Sequence, residues 1–275
     1  MMAAGWEIAI IVSVAVASIL GGMVGYRLAR RRWGLVAGYA GPLAVLLAVA
    51  ATRMFVVLEF TWPFRWLVAG RREFALTGPV ICCVVTVLMA RMPRRRVRVL
   101  LAAMAAVATW RMAICPYVMP LAYRSETAQL EELRIGGGMC LQSTSYTCGP
   151  AAAVTALGQL GITAGEGELA VLAYTVPHEG TAGDLLRDAI IELGKDYGVT
   201  AEYRAFADLE ELRKAGLTIV QVKFRPMLDH YVTVLEVKSD TVELVDPLAG
   251  RESWSHEEFL GWWRFVGIVV KRAGQ

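Results

Sequence analysis

The stretch LQSTSYTCGP at residues 141–150 holds one cysteine, Cys148, followed at once by Gly149 and Pro150, with Gln142 six positions upstream. Behind it runs AAAVTALGQLGI, residues 151–162. Proline suits the first turn of a helix, where its missing N–H has no partner to lose. The alanine-rich run then predicts a helix that continues to about Leu160. That places Cys148 at a helix N-terminus, where unpaired N–H groups and the macrodipole favour a thiolate. A buried small hydrophobe is the competing fate of a free cysteine. The local residues leave both open.

A nucleophilic thiolate needs a base, and the chain has only three histidines. His178 lies in VPHEG, a proline/glycine loop, and His256 in WSHEEF, the expected first turn of a short helix. His230 opens HYVTVLEV, whose β-branched alternation predicts a strand, and a base at a strand end is better fixed than one in a loop. After the turn KSD a second strand, TVELVDP, ends on Asp246 before Pro247. A nucleophile, a base and a group that orients the base form a triad whatever the fold. Gln142 is then a candidate donor, with the Cys148 N–H, to the oxyanion of a tetrahedral intermediate; standing alone it reads as a surface amide.

The triad carries a register condition. Side chains alternate along a strand, so His230 and Asp246 share a face only if directly opposed residues have an even number sum. A two-residue turn at Ser239–Asp240 makes that sum odd. The expectation is therefore an odd-length loop or a bulge, with Val234 set against Val242 and Val232 against Leu244.

In this order, Gln142, Cys148-Gly-Pro-Ala, HisTyrVal from His230 and AspPro from Asp246, the chain resembles the bacteriocin-processing, double-glycine-leader cysteine peptidases. The resemblance covers roughly residues 138–271 and takes in HEGTAGDLLRDAIIELG, which is similar to that family's cleft-framing loop and helix. It implies a papain-like α+β fold with Cys148 as nucleophile, His230 as base, Asp246 as its orienter and Gln142 as oxyanion donor. It implies no cofactor and no metal. Two rivals use the same residues: an acyl or γ-glutamyl transferase of phytochelatin-synthase type, and a non-catalytic peptide-binding domain. The pattern departs from the transporter-linked members, since no GxxxxGK[ST] phosphate loop occurs and the apolar part comes first. IGGGM at 135–139 superficially resembles a double-glycine site, and a flexible linker explains its glycines more simply.

The apolar excess lies ahead of this domain. Hydrophobic residues make up 56% of the 275, and mean hydropathy is +0.47, too apolar for a purely soluble chain. A spanning helix needs roughly 20 mainly apolar residues, and four segments approach that: 8–28, 35–57, 74–92 and 97–121. The first is too long, and lacks the basic start, for a cleaved signal. Arg53 and Arg111 sit near segment ends, where long side chains reach headgroups, and no acidic or histidine residue lies mid-span in these segments. Residues 59–73, rich in tryptophan and phenylalanine, read as an interfacial loop. The expected organisation is a four-helix membrane anchor over 1–122, a linker over 123–137 and the papain-like peptidase domain over 138–275.

The formal charge of +3 is small and its arginines fall in short runs, which are topology signals and not a nucleic-acid surface. Five cysteines at scattered positions, with no CxxC pair, indicate neither zinc nor a disulfide framework. Basic residues in short loops mark the cytoplasmic side. Arg27, Arg30, Arg31 and Arg32 lie at or beyond the end of the first segment, and Arg91, Arg94, Arg95, Arg96 and Arg98 lie around the junction of the third and fourth; Arg65, Arg71 and Arg72 lie between the second and third. Nine against three puts the N-terminus outside and, after four spans, the catalytic domain on the extracytoplasmic face of a bacterial cell membrane. The partners implied are a peptide or protein substrate, the lipid bilayer and, as a candidate, a separate export transporter; nucleic acid is not among them.

Overall fold

The computed structural model describes residues 3–130, 133–136, 138–177, 179–225 and 228–273. The chain forms two compact units, Met1–Leu121 and Ala122–Gln275.

The first unit is helical: α1 (Ala3–Ala29), α2 (Gly34–Met54), the short α3 (Phe64–Val68), α4 (Arg72–Met89), α5 (Arg95–Thr109) and α6 (Cys115–Ala122), the last two joined by a π-turn at Trp110–Ile114. Four stretches are long and apolar enough to cross a membrane: Ile8–Ala29, Gly34–Met54, Phe64–Met89 and Arg95–Ala122. α1 and α4 meet at backbone distance. A Cβ on Gly21 would lie 2.3 Å from the Pro79 carbonyl oxygen, and one on Gly25 would lie 2.4 Å from that of Cys83. Small residues four apart let helices approach where no hydrophobic force drives them together.

Three expectations for this unit are corrected. The segment 59–73 is not a plain loop, since it folds into α3 flanked by 3-10 turns at Val56–Phe60 and Ala69–Arg71, with Trp62 and Trp66 exposed. Helix α2 stops at Met54, three residues before the apolar run ends, because the chain tightens into the first of those turns. The third span begins at Phe64 instead of at 74 and so takes in an acidic residue: Glu73 is buried on α4 and pairs with Arg53 at 2.8 Å. An arginine that has a buried carboxylate in reach bonds to it instead of extending outward.

The second unit is α+β. After α7 (Arg124–Thr127), β1 (Leu133–Ile135) pairs with β2 (Met139–Leu141), so the stretch read as a linker contains regular structure. There follow α8 (Cys148–Gln159), α9 (Glu166–Leu172), α10 (Gly183–Gly194), β3 (Val199–Ala205), α11 (Leu209–Ala215), β4 (Thr218–Arg225), β5 (Leu228–Val237), β6 (Thr241–Asp246), β7 (Gly250–Ser255), α12 (His256–Trp262) and β8 (Trp263–Arg272). The large sheet is antiparallel throughout, in the order β3-β8-β4-β5-β6-β7.

Strand alternation divides the core. Ile219, Tyr231 and Ile268 pack with Ala152, Leu157 and Leu186 from α8 and α10. Their neighbours Val220, Val232 and Val269 pack with Leu212, Phe259 and Trp263 from the α11 and α12 side. A helix whose Ala151, Ala152, Ala153 and Ala156 are all fully buried can lie close on the sheet, and Thr233 Oγ1 donates to the Ala152 carbonyl at 2.8 Å. α8 is thereby fixed across β5.

Candidate active site

Cys148 is the first residue of α8 and is half-buried. Thr147 takes the N-cap position, but its side chain makes no capping bond to the helix. Its Oγ1 instead accepts from the Thr144 N–H at 3.2 Å. Pro150 supplies no N–H, so the amides of Cys148 and Gly149 are the helix's first donors, without intrahelical acceptors. This is the local arrangement in which a thiolate, or an oxyanion beside it, meets N–H groups. Thr181 and Leu186 bracket Gly149: a Cβ there would lie 3.2 Å from each. Thr181 and α10 thus border the glycine that follows the cysteine.

His230, 5% exposed, is the third residue of β5. Its Nε2 lies 2.7 Å from Asp246 Oδ1, at the end of β6. Burial pushes the imidazolium down, but the hydrogen bonds to Asp246 and Cys148 and the charges of both outweigh it, and His230 is raised from 6.5 to about 9. The same Asp246 Oδ1 accepts from the Leu248 N–H at 2.7 Å, which holds the carboxylate on the turn. Phe224 lies against the imidazole, with ring centroids 5.6 Å apart.

The register meets the parity condition by an unexpected combination. The turn is the tight one: Lys238 N–H bonds to the Thr241 carbonyl at 2.8 Å, and Val237 opposes Val242, an odd sum. One extra residue on β5, Leu235, bulges out between Glu236 and Val234. Beyond it Val234 opposes Leu244 and Thr233 opposes Val245, an even sum. The expected pairing of Val234 with Val242 is therefore corrected by two residues, because the turn, and not a longer loop, sets the starting register. His230 and Asp246 end on one face as diagonal neighbours, a separation long polar side chains bridge.

Gln142 is half-buried, just beyond β2. Its Nε2 donates to the Thr144 carbonyl at 2.7 Å, which leaves the second N–H of that amide uncommitted; its Oε1 is buried with no hydrogen-bond partner among the described residues. Its backbone N–H bonds to the Pro247 carbonyl at 2.9 Å. The Asp246–Pro247 turn thus joins the loop that leads to Cys148. The structure pairs His230 with Asp246, sets Cys148 near enough for its thiol to raise the proton affinity of the same imidazole, and hangs Gln142 on the Asp246–Pro247 turn. His256 lies elsewhere, on α12, with Nε2 3.1 Å from the Lys238 carbonyl; His178 falls outside the described residues. Reading residues singly missed Leu235, whose bulge decides the register, and Glu166, a buried carboxyl that bonds to the backbone beside Gln142. No local signal marks the first. A glutamate in the apolar pattern ITAGEGELAVL was the available sign of the second.

The chain belongs to the peptidase C39 family, whose model matches residues 138–275. It is 37% identical over 132 residues to an uncharacterized protein of Methanothermobacter thermautotrophicus, which covers 48% of this chain and 87% of that one. A second such protein, from Methanothermobacter marburgensis, is 34% identical over 110 residues, covering 40% of this chain and 71% of its own. Among solved structures, the C-terminal half is similar to a double glycine motif protease from an AMS/PCAT transporter in complex with the leader peptide. Identity there is 20%, coverage 52% of this chain and 94% of the other, and the TM-score 0.42. The peptidase domain of Streptococcus ComA, a bi-functional ABC transporter, gives 20% identity, 48% and 96% coverage and the same TM-score, 0.42.

Proposed function

We propose that the chain is a membrane-bound thiol peptidase in which Cys148 attacks a peptide carbonyl. The observation that carries this reading is the pairing of His230 with Asp246, 2.7 Å between Nε2 and Oδ1, on an imidazole whose proton affinity Cys148 also raises. With its pKa near 9, His230 holds a proton at neutral pH, and an imidazolium stabilises a neighbouring thiolate. The proton needed later is thus in place before substrate arrives.

The Cys148 sulfur forms a bond to the carbonyl carbon, and the carbonyl π pair moves to oxygen. The amides at the head of α8 and the second N–H of Gln142 Nε2 receive that oxyanion. As the intermediate collapses, His230 gives its proton to the departing amine and the thioester remains. Neutral His230 then takes a proton from water, whose oxygen attacks the thioester and releases the acid. Asp246 keeps the ring oriented throughout and stabilises its charged form.

The four apolar helices anchor this domain in a bacterial cell membrane, and the nine-to-three arginine bias places it on the extracytoplasmic face. The substrate is then a peptide or protein met at or after export, with a separate export transporter as the candidate partner. A peptidyl thiol-directed probe applied to sealed vesicles of each orientation tests this. Labelling of wild type in right-side-out vesicles, and none in Cys148→Ala, is expected. Labelling that persists in Cys148→Ala sinks the enzyme assignment, and labelling confined to inside-out vesicles reverses the orientation.

A further inference from the structure

Glu166 is fully buried, and it is the one buried carboxylic side chain of the C-terminal unit among the described residues. It stands on the first turn of α9 and takes no part in the mechanism above. Burying a carboxyl is unfavourable unless it is hydrogen-bonded, so what it bonds is informative. Its Oε1 accepts from the Ser143 backbone N–H at 3.0 Å. Ser143 follows Gln142 directly.

The three consecutive amides here are held from three directions. Gln142 N–H goes to the Pro247 carbonyl at 2.9 Å, Ser143 N–H to Glu166, and Thr144 N–H to Thr147 Oγ1 at 3.2 Å. The first tie leads to the turn bearing Asp246, and the third is internal to the loop. Only the middle one anchors the loop to a helix outside the triad elements. It fixes the peptide plane between Gln142 and Ser143, from which the Gln142 side chain departs. The Thr144 carbonyl that receives Gln142 Nε2 lies one residue further along.

We propose that Glu166 is a positioning residue for the oxyanion site, acting through the Ser143 N–H to set where Gln142 presents its free amide N–H. This rests on the reading of Gln142 as oxyanion donor in a Cys148 peptidase. A donor misplaced by about 1 Å costs on the order of 100-fold in rate. The attack of the thiol on a small alkylating agent forms no oxyanion and is indifferent to it.

The test uses the full chain in detergent, with N-acetylglycine p-nitrophenyl ester as the turnover probe and iodoacetamide as the alkylating probe. Glu166→Ala is expected to lower kcat by about 10- to 100-fold while KM and the rate of Cys148 alkylation stay at wild-type values. Glu166→Gln, which retains an oxygen acceptor, restores most of kcat. In a Gln142→Ala background, Glu166→Ala has almost no further effect. Should Glu166→Ala not fold, Glu166→Asp, which withdraws the carboxyl by one methylene, is expected to lower kcat with alkylation unchanged. Wild-type kcat in Glu166→Asp or Glu166→Ala, alkylation that slows in step with kcat, or losses that multiply fully with Gln142→Ala overturns the proposal and leaves the peptidase reading intact. A Gln142→Ala chain with wild-type kcat overturns the proposal together with the oxyanion role of Gln142, and a Cys148→Ala chain that still turns over the ester overturns the peptidase reading as well.

Discussion

Asp246 reaches His230 only because Leu235 is out of line. The two-residue turn at Ser239–Asp240 alone would put Asp246 on the face of the β5–β6 pair opposite to His230, and the bulge restores the shared face that the 2.7 Å contact needs. Deleting Leu235 should therefore lower kcat/KM to the level of Asp246→Ala, because either β6 turns its alternation over or the turn is strained. Circular dichroism should keep its helix and strand content. A deletion variant of full activity would show that another register serves equally well.

Cysteine reactivity should be sharply unequal. Cys140 is fully buried, and its backbone N–H is committed to Thr155; Cys148 is half-buried at a helix head beside a protonated histidine. Iodoacetamide followed by peptide mapping of the folded chain should modify Cys148 first, and His230→Ala should slow that step. Equal modification of both cysteines would remove the grounds for naming Cys148.

The site residues should carry unequal weight. Cys148→Ala abolishes turnover. His230→Ala lowers kcat by about 100- to 10,000-fold, the usual worth of general acid–base catalysis. Gln142→Ala costs about 100- to 1000-fold, the usual worth of one oxyanion donor. Asp246→Asn leaves reduced activity, since asparagine can still face the ring but carries no charge. Single-turnover rates on the p-nitrophenyl ester rank the four.

The pH dependence follows from His230, whose folded value near 9 stands above its ordinary 6.5. The acylation step needs the imidazolium, so kcat/KM should fall as pH rises through about 9. Stability has the same sign. The folded chain keeps a proton the unfolded chain releases, so the contribution is complete below about 6.5 and disappears as pH climbs through about 9. A single proton limits the slope to about 1.4 kcal/mol per pH unit. Melting wild type and His230→Gln at pH 6 and pH 9.5 compares them, and the variant should lose less. Equal losses would mean that His230 does not hold the extra proton.

In the helical unit, two glycines should respond oppositely to one methyl group. Gly25→Ala drives a Cβ into the Cys83 carbonyl, whereas at Gly41 a Cβ meets nothing within 4 Å. Overpacking costs roughly 1–3 kcal/mol, and alanine in an open helical position gains up to about 1 kcal/mol over glycine. Thermal melts in detergent should place Gly25→Ala below wild type and Gly41→Ala at or above it.

Much was legible along the chain because it depends on neighbours in sequence. The apolar runs fix where long helices form, and Cys148-Gly-Pro followed by alanines starts a helix on the cysteine. The β-branched alternation from His230 and from Thr241 makes strands, and the parity rule already required a bulge or an odd loop between them. What only the tertiary structure decided depends on partners distant in sequence. The bulge fell at Leu235, and the pairing moved two residues from the expected one, because the tight turn and the packing of both strand faces had to be satisfied together. Arg53 turned to Glu73 instead of to a headgroup because α2 and α4 lie side by side. Glu166 met Ser143 because a loop and a helix 23 residues apart in sequence close on one another. Local propensity is summed over a few residues and shows in the sequence, whereas a hydrogen bond between remote groups exists only once the whole domain has closed.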